Sequence, residues 1–146
     1  AQVVEHLNRI KLDLLKQKLS FSSLFPIILT DNGGEFADIS SIESDDKNHC
    51  HLFFCEPNRP DQKARIEKNH TLIRDYFPKG TSFDEYTQED INHAVSHLNG
   101  VKRQSLNNKS AYECFTFMFG ESVAKTLGVH YIEPNNVIQS PKLFNK

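Results

Sequence analysis

Two carboxylates stand out for the chemistry around them. Asp31 follows an apolar run, Phe25-Pro26-Ile27-Ile28-Leu29-Thr30, and leads into Asn32-Gly33-Gly34. Thirty-five residues separate it from Glu67, which lies in a stretch that also holds Lys63, Lys68, His70 and Arg74. Hard carboxylate oxygens suit Mg²⁺, which keeps several waters and so needs few protein ligands. Two such ions about 4 Å apart activate an attacking oxygen and stabilise a leaving one in phosphodiester chemistry. The cations beside Glu67 suit a phosphate backbone. Each half also has a plainer reading. Asp-Asn-Gly is common turn chemistry, and Lys63 with Glu67 is an ordinary i,i+4 pair on a solvated helix.

Two elements must position these groups. The run ending at Thr30 suits a strand buried on both faces of a parallel sheet, with Pro26 tolerated near its start. Asp31 then stands at the strand's carboxyl end, where open α/β sheets gather their sites. Glu67 belongs to a helix predicted over 62–77, opened by Pro57-Asn58-Arg59-Pro60-Asp61 and stopped before Pro78. At about 100° per residue, Ile66, Leu72, Ile73, Tyr76 and Phe77 share one arc, and Glu67 lies off its edge. Lys63, His70, Thr71 and Arg74 fall within about 60° of it.

Around these, Val3, Leu7, Ile10 and Leu14 recur at helical spacing and predict an amphipathic helix over 2–19. Residues 37–48 are polar and acidic and read as surface chain with one helical turn. His51-Leu52-Phe53-Phe54-Cys55 predicts a second strand. Thr87 to Asp90 resembles a capping box for a helix carrying Ile91, Ala94, Val95 and Leu98, stopped at Asn99-Gly100. Ser110 caps a helix through Phe117 that ends at Gly120. A short helix covers 121–127, Gly128 closes it, and the tail from Val129 reads as a loop.

Composition is that of an ordinary globular chain: 146 residues, 38% hydrophobic, 25% charged. No apolar run approaches the roughly 20 residues of a membrane span, and the mixed start (Glu5, His6, Asn8, Arg9) gives no expectation of a leader. The formal net charge of −2 is not that of a dedicated nucleic-acid module; a local basic face can still attract phosphates. Three cysteines without a framework pattern suggest a reducing, intracellular setting. His49, Cys50, His51 and Cys55 lack zinc-finger spacing, and strand alternation sets Cys50 opposite both histidines. Cys114 and the stretch Phe115, Phe117, Phe119 read as core. Lys102-Arg103, with Lys109, either contacts phosphates or is a solvated loop.

The combination of motifs is more specific than any one of them. Thr30-Asp31-Asn32-Gly33-Gly34-Glu35-Phe36 resembles the second-aspartate motif of DDE transposases and retroviral-type integrases, and the distance from Asp31 to Glu67 fits that superfamily. Phe54-Cys55-Glu56-Pro57 and Arg74-Asp75-Tyr76-Phe77-Pro78-Lys79-Gly80-Thr81 resemble motifs of the bacterial insertion-sequence family numbered thirty. Leu98-Asn99-Gly100 through Lys109-Ser110-Ala111-Tyr112-Glu113 resembles a later segment more loosely. The resemblance covers residues 25–115. Departures are the lack of tryptophan, Ala64 where many members carry glycine, and Lys68 where they carry asparagine after the glutamate.

The resemblance implies an α/β chain with a partial ribonuclease H-like fold and a helical C-terminal extension. Residues 1–115 would be the C-terminal portion of an integrase-like core and 116–146 a C-terminal helix and tail. Its first three strands and first aspartate are expected outside this chain. Asp31 and Glu67 are then catalytic metal ligands for Mg²⁺ or Mn²⁺ in a two-metal site completed by that absent aspartate. Lys63, Lys68, His70, Arg74, Lys102 and Arg103 are expected DNA contacts. The implied parent is a homo-oligomer acting on transposon ends and target DNA in the bacterial cytoplasm, at the nucleoid and not at a membrane. The alternative expectation is a catalytically inactive remnant that binds DNA weakly at most.

Overall fold

The computed structural model describes residues 2–30, 33–43, 50–56 and 68–144. The chain divides into two compact units, residues 1–64 and 65–146. Among the described residues no helix is long and apolar enough to cross a membrane.

In the first unit, helix α1 (Gln2–Lys16) ends earlier than its periodicity predicts, at a turn in which Lys18 takes a left-handed φ of 61°. Its apolar stripe faces inward and Leu14 is fully buried. Lys11 is buried too, which the wheel does not foresee. Its Nζ donates to the carbonyls of Ser41 (2.9 Å) and Ile42 (3.0 Å) at the end of α3 (Ile39–Glu43) and lies 5.4 Å from the centre of the Phe21 ring. An ammonium is favoured there because the last carbonyls of a helix are unpaired and carry its negative end. The acidic surface stretch thus holds a real helix, and Ile42 is buried beneath it.

A short helix, α2 (Phe21–Leu24), is capped by Ser20, whose hydroxyl accepts from the Ser23 N–H. It leads into strand β1 (Ile27–Thr30), which pairs in parallel with β2 (His51–Phe54) in the register Ile27↔His51 to Thr30↔Phe54. Parallel pairing agrees with the apolar run; burial on both faces does not. Thr30 and Leu52 are buried, whereas Ile27, Leu29 and Phe53 are 62%, 42% and 54% exposed. The reason is alternation: Ile27, Leu29 and Phe53 share the face opposite Leu52. Helix α3 packs on β2, and Glu43 ties the two, its Oε1 accepting from the Leu52 N–H at 2.9 Å. Cys50 is fully buried and His51 exposed, as strand alternation requires; His49 lies outside the described residues.

In the second unit, helix α4 is described over 68–74. It delivers Tyr76 and Phe77 into a core with Ala94 and Leu98 of α5 (Gln88–Gly100). Phe77 stacks on Phe144 (5.2 Å) and meets Tyr86 edge-on (5.1 Å). The Thr87–Asp90 capping box forms as the sequence signals. Gly100 ends α5, for a different reason than a left-handed cap. A Cβ there would press on Val137 at 3.3 Å, so glycine lets the tail approach closely.

The tail is more than a loop. The Ser96 hydroxyl accepts from the His130 N–H (3.0 Å), and His97 Nδ1 accepts from the Ile138 N–H (3.1 Å). Both α5 side chains are buried, so they supply acceptors to backbone groups that would otherwise be stranded. A hairpin of β3 (Lys102–Arg103) and β4 (Lys109–Ser110) follows α5 and joins it to α6 (Ala111–Phe119). The Ser110–Glu113 capping box opens α6, and Gly120, at φ +87°, ends it before α7 (Glu121–Thr126). Phe115 and Phe119 meet at 4.9 Å. Phe117, about 200° round the helix from Phe115, is 91% exposed and is not core. Cys114 is half-buried.

Candidate functional site

Asp31, Glu67 and Lys63 lie outside the described residues. Cys55 N–H donates to Thr30 O at 2.8 Å, so β1 and β2 end level with each other, and Thr30 is buried. The sequence passes from Thr30 straight into Asp31. The carboxyl ends of parallel strands are where an α/β sheet presents ligands to a site.

Beyond Asp31, Gly33 caps a 3₁₀ turn over Gly34–Phe36. Its φ of −75° is open to any residue. The Glu35 carboxylate folds back over the turn, within 2.5 Å of where a Cβ at position 33 would stand, but as the end of a flexible, exposed side chain it can move aside. Gly34 has open space around its Cα. Asp38 caps the next turn; its carboxyl is held below the usual range, first by the Ser41 hydroxyl and then by the Ser41 N–H, which donates to it at 3.2 Å.

The cations expected on DNA fall in two places. Lys68, His70 and Arg74 are all exposed on α4. His70 and Arg74 are i,i+4 neighbours on one side. Lys68 is i,i+4 to the half-buried Leu72 and stands about 160° round the helix from His70. These three cations do not make one face.

Lys102 and Arg103 form β3, where Lys102 is opposite Ser110 and Arg103 opposite Lys109. The sequence signals a basic segment there but not the hairpin, whose strands have only two residues each. Glu113 sits beside it. Its carboxylate accepts from the Ser110 N–H at 2.6 Å and its pKa lies below the usual range, first because of that backbone bond, then the Ser110 hydroxyl, and last the charges of Lys102 and Lys109. Among the described residues, no three His, Cys, Asp or Glu side chains cluster as metal ligands.

The chain is similar to transposases of insertion sequences. It is 39% identical over 56 residues to the transposase for insertion sequence element IS1086 of Cupriavidus metallidurans, covering 38% of this chain and 16% of that protein. It is 37% identical over 62 residues to transposase InsI for insertion sequence element IS30A of Escherichia coli, covering 42% and 16%. It is also 34% identical over 88 residues to a putative integrase of a Spiroplasma virus, covering 60% and 27%. The matched stretches thus span between 16% and 27% of these relatives' length. No family model and no solved structure matches the chain.

Proposed function

We propose that this chain is part of an insertion-sequence transposase of the DDE type, contributing Asp31 and Glu67 to the metal site of a ribonuclease H-like core. The observation that supports it most is the level end of the parallel pair β1–β2, from which the sequence enters Asp31, in a chain similar to transposases. A third ligand, an aspartate, would come from elsewhere in the intact protein. Two carboxylates are a donor set of the right chemistry for Mg²⁺ or Mn²⁺. Such ions, when bound, activate the attacking oxygen and stabilise the leaving one.

The chain's own residues have simpler tasks. The buried, paired Thr30 fixes the backbone from which Asp31 follows. Lys63, Lys68, His70, Arg74, Lys102 and Arg103 would contact phosphates, which position the duplex without reading its sequence. The intact protein, as a homo-oligomer at the nucleoid, would cleave transposon ends and join them to target DNA.

Strand cleavage of labelled transposon-end DNA by the intact protein tests this. The Asp31→Asn and Glu67→Gln variants are expected to lose cleavage while still binding the DNA. Full cleavage by either variant would overturn the assignment.

One observation favours a second reading for residues 1–146 in isolation. The face carrying Ile27, Leu29 and Phe53 is exposed, whereas a parallel sheet is ordinarily covered by helices on both faces. On this reading the isolated chain is catalytically inactive and binds DNA weakly at most. Robust Mg²⁺-dependent cleavage by the purified chain would refute it.

A further inference from the structure

We propose that the β3–β4 hairpin, residues 102–110, is a DNA-reading element that enters the major groove and contacts adenine through the side-chain amides at its tip. The proposal rests on the reading that the chain acts on DNA; it adds which segment reads sequence, and how.

The hairpin is a hydrogen-bonded tip on two cationic legs. Asn107 N–H donates to Gln104 O and Asn108 N–H to Arg103 O, each at 3.1 Å. Asn107 and Asn108 both take left-handed backbone angles, φ 53° and 60°, which asparagine tolerates far better than most residues. At the base, Ser110 is buried and locked into the capping box with Glu113. Gln104, Asn107 and Asn108 are all exposed, and their amides make no hydrogen bond among the described residues. Left-handed asparagines are ordinary turn residues; here they and Gln104 present their amides between two cationic strands.

The legs say what the tip approaches. Arg103 stands directly opposite Lys109, with exposed Lys102 beside them. Like charges facing each other across a strand pair destabilise it, and Arg103 Nε is buried with no acceptor among the described residues. A phosphate laid across this rung turns the repulsion into two charge-assisted bonds. It also draws the guanidinium outward to a partner. The nearby Glu113 carboxylate does not serve as that anion. It accepts from the Ser110 N–H and closes no salt bridge with either lysine among the described residues.

The dimensions fit. Two paired strands lie about 4.8 Å apart, and a two-stranded ribbon fits a major groove about 12 Å wide. There, asparagine and glutamine pair in bidentate fashion with adenine N6 and N7. The rung then positions the hairpin on the backbone, and the amides specify the base.

The test is fluorescence anisotropy of the 146-residue chain with labelled duplexes of equal length, A·T-rich or G·C-rich at the centre, between 50 and 200 mM salt without divalent metal. The wild-type chain is expected to favour the A·T-rich duplex roughly tenfold. The double variant Asn107→Gly, Asn108→Gly keeps the positive φ angles and removes the amides. It should bind both duplexes equally, with the salt dependence unchanged. The Asn107→Asp variant, which keeps the side chain's shape but loses its donor, should show the same loss. Arg103→Gln should weaken both duplexes alike and lower the salt slope by about one. A wild-type chain that binds both duplexes equally, or tip variants that keep the preference, would overturn the proposal and leave the DNA reading standing. A wild-type chain that binds neither duplex would also overturn the hairpin proposal, while the assignment of Asp31 and Glu67 is judged separately by the cleavage assay on the intact protein.

Discussion

Tyr76 should be more useful as phenylalanine than as tyrosine. Its side chain is 1% exposed in the core of the second unit, and its hydroxyl has no hydrogen-bond partner among the described residues. The neighbouring pocket is lined by apolar side chains, among them Ile73, Ala94 and Leu98, so a water there would lack the two to four polar partners it needs. Leaving a hydroxyl buried and unpaired costs about 1–3 kcal/mol. Removing the oxygen leaves a void of roughly 10 Å³, which at about 24 cal/mol per Å³ costs only ~0.2 kcal/mol. Tyr76→Phe should therefore stabilise the unit by about 1 kcal/mol, raising its melting temperature by roughly 4–8 °C for a domain of this size.

The same burial, reinforced by Asp75, pushes the Tyr76 phenol up to about 12. A raised phenol favours the neutral form, so its contribution is complete below pH 10 and is lost as pH rises towards 12. The phenylalanine variant lacks that loss. Urea unfolding at pH 7.5 and across pH 9–11 measures both effects, with Tyr76→Ala as the control expected to cost about 3–5 kcal/mol. A phenylalanine variant less stable than wild type by more than about 0.5 kcal/mol would show that the hydroxyl is bonded and the reasoning wrong.

Two further outcomes follow from the backbone and from α5. Gly120 has φ +87° and ψ 157° with nothing near its Cα, so Gly120→Ala should cost about 1–3 kcal/mol through backbone strain alone, read as a lower urea midpoint. His97 is buried, and burial followed by the charge of His93 lowers its pKa. A histidine held neutral stabilises fully above its unfolded value near 6.5, and that stability is lost as pH falls through the lower folded value. Since His97 Nδ1 accepts from the Ile138 N–H, hydrogen exchange at Ile138 should accelerate in that window. Unchanged protection down to pH 5 would show that the tail does not depend on this bond.

Local signals in the sequence determined much of this protein. Thr87 with Asp90 and Ser110 with Glu113 announce two capping boxes that form, because a cap is a bond between a side chain and backbone three residues away. The apolar run before Asp31 announces a strand, and its continuous hydrophobicity announces a parallel partner, found in β2. The motifs around Asp31 and Glu67 carried the likeness to transposases, since they depend on residue type and spacing.

What only the tertiary structure decided is long-range. Lys11 looks like a surface charge on a wheel, yet it is buried because α3 ends over it. Gly100 looks like a helix stop and is also the floor on which Val137 rests. Ser96 and His97 carry no sequence signal, because their partners are backbone groups 34 and 41 residues away. Two-residue strands such as β3 and β4 are too short for any periodicity to show. The facing of Arg103 and Lys109, on which the hairpin's proposed role rests, is therefore a fact of register, which pairing sets and residue order does not.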